Sequence, residues 1–329
     1  METSQVEQLY SWIDNTTEKI QQSHNEPYIE SLIITLEMLY MDAVPDRVSE
    51  VTSKELQKQL EQKFNTYDTV TIRKAVQLAI LKGMRVAQEK HLMTPETVAL
   101  LIGYLAEKIT INENEIRVFD PVCGTGNLLM TVLQQLKQRK TVFASEVDPT
   151  LIQLAVLNAN LQKKEIEFFH QDSMQSFLMD PVDLVVADLP VGYYPDNVQA
   201  NGFTLKNDSG LSYAHHLILE QSVYYTKPGG YLIFVIPSFL FESDQADKLH
   251  AFIRENAHII GVLQLPETAF TSDKHMKSIL ILQKKSIDTH APKQPLLVNM
   301  PSFKKARATE DIINQMDAWF AQYMNYTDE

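Results

Sequence analysis

The sequence predicts a doubly wound α/β domain behind a smaller helical one, and three observations carry that reading. The stretch Val118-Phe119-Asp120-Pro121-Val122-Cys123-Gly124-Thr125-Gly126-Asn127 reads as a strand ending in a carboxylate, a tight loop with two glycines and a helix start. Three further strand-like runs end in an acid: 141–145 before Glu146, 166–171 before Asp172, and 182–187 before Asp188. Helical stripes separate several of these runs, as parallel sheets require.

Residues 1–88 read as helical. Val6, Leu9, Tyr10 and Ile13 recur at helical spacing. Leu32, Ile33, Leu36, Leu39 and Tyr40 form a second stripe, ended near Pro45. Val70, Ile72, Ala75, Val76, Ala79 and Ile80 form another before Gly83. Thr94 then predicts an N-cap and Pro95 a first helical residue, for a helix to about residue 109. The remaining order is strand 116–120, helix 126–138, strand 141–146, helix 149–161, strands 166–170 and 182–188, and helix 212–226. Strand 231–236, helix 243–256 and strands 259–265 and 278–284 complete a seven-stranded sheet.

Lys227-Pro228-Gly229-Gly230 predicts a tight turn feeding a fully buried strand. The last two strands read as a hairpin-like pair with a long connection, 266–277. A tail helix over 309–325 carries Ile312, Ile313, Met316, Trp319, Phe320 and Tyr323, a stripe that suits core packing. One long polar loop, 196–212, follows Asp188; a lid or substrate loop and a plain surface loop are both open readings. The expected domains are therefore 1–88, helical, and 89–329, cofactor-binding.

With 329 residues and 44% hydrophobic content, the chain can bury a sizeable core. The formal net charge of −13 is spread, −4 over the first 88 residues and −9 over the rest. That opposes strong non-specific binding to a polyanion, whose affinity comes from Lys and Arg displacing counterions. A single cysteine excludes an intrachain disulfide and a cysteine-based zinc site, and no metal site is expected. Cys123 fits a crowded turn as a small residue, and no spacing supplies a base for a nucleophile. The first 20 residues are polar and acidic, unlike a signal peptide, and no apolar run reaches membrane-spanning length. A cytoplasmic enzyme with no membrane partner is the expectation.

Four acids at strand ends fall along one edge of one sheet, where parallel sheets bind ligands. A lone strand-end Asp is commonly a cap or turn residue. Four behind a glycine loop point to a ligand with a cationic centre and several hydrogen-bond donors. A nicotinamide dehydrogenase is disfavoured, because no Gly-x-Gly-x-x-Gly opens a strand–helix turn.

From His91 to about Lys285 the chain resembles class I S-adenosylmethionine-dependent methyltransferases, whose sheet is Rossmann-like. It is most similar to adenine-specific DNA methyltransferases, especially type I restriction modification subunits, and to small bacterial members without a target-recognition domain. Met93-Thr94-Pro95-Glu96-Thr97-Val98, the loop from Asp120 to Gly126, Ser145-Glu146-Val147-Asp148-Pro149, the run 155–158, Asp188-x-Pro190, and the closing segments 263–270 and 278–284 carry the resemblance. The cofactor it implies is S-adenosyl-L-methionine. It implies that Asp120 and the loop backbone (Val122, Cys123, Gly124, Gly126, Asn127) hold the methionine end, with Thr94 helping. It implies Glu146 on the ribose hydroxyls, Val147 on the adenine, and Asp172 with Ser173 at the adenine amine.

The resemblance places Asp188, Leu189 and Pro190 at the catalytic motif, with Asp188 and Pro190 also lining the cofactor. The Asp188 side chain and the Leu189 carbonyl would accept the acceptor's N–H bonds. The motif departs from the family at Leu189, where the family has Pro, and at Val191, where it has Tyr or Phe. Tyr193 and Tyr194 are the candidate substitutes for stacking on a flipped base, with core or loop packing an equally open reading. The expected function is methylation of a nucleobase amine, adenine-like, in nucleic acid, with sequence selection either supplied by a specificity partner protein or absent. The alternatives are a protein amide or small-molecule acceptor, or a non-catalytic S-adenosylmethionine-binding scaffold.

Overall fold

Five parallel strands bring their carboxyl ends to one edge: β1 (Glu115–Asp120), β2 (Arg139–Glu146), β3 (Glu167–His170), β4 (Val182–Asp188) and β5 (Thr226–Pro237). β6 (Ala257–Gln264) follows, and β7 (Lys277–Lys284) runs antiparallel to both β5 and β6. β8 (Leu296–Asn299) adds in parallel beside β6, giving the order β3-β2-β1-β4-β5-β7-β6-β8. Strand order reverses between β1 and β4, which is where open α/β sheets leave a crevice for ligand. This computed structural model describes residues 2–61, 67–86, 93–270 and 276–327.

Alternate side chains leave the sheet on opposite faces. Val118 joins a core under α5 (Glu96–Ile109), α6 (Asn127–Gln135) and α11 (Ala306–Thr327). Phe119 joins the opposite core, under α9 (Ala214–Tyr225) and α10 (Ala246–Asn256). α7 (Pro149–Leu161) has two apolar sides. Ala155 faces the first core, whereas Leu151, Leu154, Leu157 and Leu161 join a third core. That third core is built by α1 (Glu2–His24), α2 (Tyr28–Met41), α3 (Glu50–Glu61) and α4 (Thr69–Val86).

The architecture is the expected doubly wound sheet with an N-terminal helical layer, and four details differ. The sheet has eight strands, because β8 was not anticipated. The turn expected at 227–230 lies inside a strand and not before it: β5 begins at Thr226, Gly229 takes φ +83°, and the segment is absorbed as a register shift against β4 between Val182 and Leu184. α4 runs past Gly83 to Val86, where a Cβ on Gly83 would sit 2.4 Å from Ile29. That glycine lets α4 approach α2 and does not end a helix. Loop 196–212 contains the short α8 (Asn197–Ala200) and is tied down. The Thr204 and Leu205 amides each donate to Glu220 at 2.8 Å, and Lys248 bonds Asp208 at 2.6 Å. The expected boundary at 88/89 and the start of the resemblance at His91 lie outside the described residues.

Candidate active site

Asp120, Glu146 and Asp188 act on one another at the carboxyl edge around the β1/β4 crevice, while Asp172 follows the outer strand β3. Glu146 ends β2, and its Oε2 accepts the Gly124 amide at 2.9 Å. Its Oε1 accepts the Val147 and Asp148 amides at 2.9 and 3.0 Å. The chain turns sharply there, because Asp148 caps α7 through the Thr150 and Leu151 amides at 2.8 and 2.9 Å, with Pro149 as first helical residue. Asp120 is 1% exposed and accepts the Val122 amide at 3.1 Å. Burial pushes its carboxyl well above the usual range; the Val122 amide opposes this, and the charges of Glu146 and Asp188 add to it.

Asp188 ends β4 with both oxygens engaged. The Thr94 hydroxyl donates to Oδ2 at 2.8 Å, and the Lys277 ammonium to Oδ1 at 2.5 Å. The Asp188 and Lys277 side chains are each 14% exposed. Thr94 is therefore no N-cap, since that position falls to Pro95 and the hydroxyl is spent across the crevice. The Asn127 amide donates to the Thr94 carbonyl at 2.9 Å, so Asn127 ties the glycine loop to Thr94. Ser173 likewise braces the loop by donating to the Pro121 carbonyl. Cys123 is buried, and burial, with Asp120 and Glu146 nearby, pushes its thiol well up, leaving an unreactive side chain.

The two candidate tyrosines part company. Tyr194 is buried and donates its hydroxyl to Asp172 Oδ2 at 2.5 Å, while Oδ1 accepts the Met174 amide at 2.9 Å. Tyr194 thus lies on the Asp172 side of the crevice, away from the place expected for it at Asp188. Tyr193 is exposed and stacks on Tyr213, with ring centroids 4.9 Å apart and planes 12° apart. Tyr213 donates to Asp244 at 2.9 Å and stacks on His215 at 5.0 Å. Leu189 is fully buried, whereas Pro190 and Val191 are exposed beside it. Lys277 and Tyr213 carry no motif signal and were missed by sequence reasoning.

His215 and His216 are buried under this stack. Burial lowers His215 to about 4, against a smaller pull from the Pro190 backbone. Burial, with the adjacent His215, lowers His216 to about 3. Unfolded histidines titrate near 6.5, so the unfolded chain binds more protons below that pH. The stability of the folded form is complete above pH 6.5 and falls as pH drops from there toward 4. Each histidine contributes about 1.4 kcal/mol per pH unit. Melting temperatures between pH 7.5 and 5 are expected to fall, with the slope reduced in His216→Leu; an unchanged slope would remove His216 from this account.

S-adenosylmethionine fits the crevice on observations of the structure itself. Two further carboxylates, Glu146 and Asp188, raise the charge burden on buried Asp120, so a cationic ligand relieves the site. A Cβ on Gly124, at φ +53°, would meet nothing within 4 Å, so the loop leaves room for a ligand. Val147 stands 62% exposed beside Glu146, an apolar surface suited to a base.

A glycine loop, a β2 acid and an antiparallel β7 in an otherwise parallel arrangement of β1–β6 define a nucleoside-binding α/β transferase. The profile of the N-6 DNA methylase family matches residues 84–325, and that of the YtxK N-terminal helical domain matches residues 7–84. The chain belongs to the N-6 DNA methylase family and is an S-adenosylmethionine-dependent methyltransferase. It is 45% identical over 325 residues to the uncharacterized protein YtxK of Bacillus subtilis (strain 168), covering 97% of this chain and 99% of that one. A Listeria monocytogenes crystal structure, of a protein assigned to the class I S-adenosylmethionine-dependent methyltransferases, is 38% identical. It superposes with a TM-score of 0.91 over 96% of this chain and 99% of that one. The type I restriction-modification methyltransferase subunit from Streptococcus thermophilus shares the fold, with TM-score 0.64 and 15% identity over 93% and 73% of the two chains.

Proposed function

We propose that this chain transfers a methyl group from S-adenosylmethionine to an amino nitrogen seated at Asp188, and that the acceptor is an adenine-like base amine in nucleic acid. The observation that carries the reading is the position of Asp188, one strand from Asp120 at the switch point and held from two sides by Thr94 and Lys277. S-adenosylmethionine, when bound, supplies a methyl group on a sulfonium. Asp120 faces the methionine ammonium, and the Gly124–Gly126 backbone at the start of α6 takes its carboxylate. Glu146 takes the ribose hydroxyls, Val147 covers the adenine, and Asp172 accepts from the adenine amine, with Ser173 and Asn127 holding the loop.

Asp188 and the Leu189 carbonyl accept the acceptor's N–H bonds and turn the nitrogen lone pair toward the methyl. Holding two reactants in line supplies about 7–11 kcal/mol of the barrier in favourable systems. Membership of the N-6 DNA methylase family supports a base as acceptor. We also propose a separate specificity partner, a cytoplasmic site of action, and a division of the chain into a helical part, 1–88, and a cofactor-binding part, 89–329. No helix among the described residues is long and apolar enough to cross a membrane.

A second reading, an amine outside nucleic acid, is favoured by particular residues. Lys277 already occupies Asp188, Val191 offers no ring for a base, and Tyr194 is committed to Asp172. Transfer of radiolabelled methyl to DNA, RNA and cell-extract protein separates the two. Label recovered as a methylated base is the expected result. Label in protein alone selects the second reading, and no label despite tight cofactor binding selects a scaffold.

A further inference from the structure

One buried cation of the helical layer reaches both helices that frame Thr94. Arg73 on α4 is 4% exposed. Its Nη2 donates to Glu96 Oε1 at 2.7 Å and its Nε to Gln134 Oε1 at 3.1 Å. Its Nη1 reaches Thr131 Oγ1 and Gln77 Oε1, each at 3.4 Å. Glu96 is the first residue of α5, two positions after Thr94. Thr131 and Gln134 lie on α6, which opens at Asn127, and the Thr131 hydroxyl donates to the Asn127 carbonyl at 2.9 Å. Asn127 in turn holds the Thr94 carbonyl, and Thr94 holds Asp188.

The planar fork of a guanidinium spans two helices in a way an ammonium does not. Here it pins the first turn of α5 against α6. The two ends of that clamp are the residues that fix Thr94: its chain neighbour Glu96, and the helix that carries Asn127. We propose that Arg73 is a positioning residue, through which the N-terminal helical layer sets the placement of Thr94 in the cofactor and acceptor crevice. This rests on the reading of Thr94 and Asp188 as parts of that crevice. The helical layer on this view is neither a reader of nucleic acid nor a loose cap, but the outer wall of the site.

The test uses the full chain and four variants: Arg73→Met, Arg73→Lys, Thr94→Val and the double Arg73→Met/Thr94→Val. S-adenosylmethionine affinity is measured by calorimetry at a temperature where circular dichroism shows each variant folded. Hydrogen exchange is followed without cofactor at the amides of 96–99. Arg73→Met is expected to weaken binding about fivefold, the scale of coupling between residues of one network. Arg73→Lys recovers part of the loss. The double variant binds no more weakly than Thr94→Val alone, and exchange at 96–99 rises in Arg73→Met while the amides of α2 keep their protection.

Arg73→Met that melts earlier yet binds with unchanged affinity overturns the proposal, as do effects that multiply in the double variant. Thr94→Val with unchanged affinity overturns the crevice reading as well, and so separates the two failures. Should Arg73→Met not fold, Glu96→Ala removes the acceptor of the same link from its other end and is scored the same way.

Discussion

Asp188→Ala is expected to lower methyl transfer by about 10²–10⁴-fold, while S-adenosylmethionine affinity stays within about threefold. The reason is division of labour along the edge. On the proposed reading Glu146, Asp120 and Asp172 face the nucleoside and the methionine end, with Thr94 helping there, whereas the Asp188 carboxylate, held by Thr94 and Lys277, faces the acceptor. The single variant also leaves the Lys277 ammonium, 14% exposed, without its partner. Loss of one member of such a pair can disturb folding by itself. Asp188→Ala/Lys277→Met removes both charges together and serves as the control. If that double variant is folded, binds cofactor and still transfers methyl, Asp188 does not orient the acceptor.

Glu146→Ala is expected to weaken cofactor binding by at least about 10²-fold, since hydrogen bonds to a charged group contribute about 1.5–3 kcal/mol each and on the proposed reading two ribose hydroxyls lose their partner. The variant also frees the Gly124 amide, which Glu146 holds at 2.9 Å. Asp120→Asn gives a second, independent signature. In the free protein burial raises the Asp120 carboxyl and favours its protonated form. A bound ammonium stabilises the ionised form, so binding releases a proton and affinity rises with pH across that titration. Calorimetry in buffers of different ionisation enthalpy reads the release directly. Asp120→Asn is expected to remove the buffer dependence; a dependence that survives the substitution assigns the proton elsewhere.

Much of this was legible in the sequence wherever a local chemical signal fixed a boundary. α7 spans the residues expected of it because Asp148-Pro149 is a strong helix opening, and β4 does so because an apolar run ends in Asp188. Asp120, Glu146 and Asp188 were found within electrostatic reach of one another because each ends a strand and parallel strands share a carboxyl edge; Asp172 follows the outer strand β3 and bonds Met174 and Tyr194 instead. Lys277 escaped because β7 runs the other way, so the start of a strand, and not its end, reaches that edge. β8 escaped because four residues with alternating exposure carry too little pattern. α3 escaped because its polar face outweighs Leu56 and Leu60. Arg73 reads as one charge on a helix, and nothing local shows that α5 and α6 close over it. Thr94 shows the opposite error, where a good local cap was overridden by a partner 94 residues away.

The four leucines of α7 that complete the helical layer's interior have a further consequence. Excising residues 1–86 would strip one whole side of α7 and leave a greasy ridge in water, directly behind the turn that carries Glu146 and Val147. The truncated enzyme would therefore be prone to clump. The intact chain should melt in one calorimetric endotherm, and limited proteolysis should not liberate a working catalytic fragment.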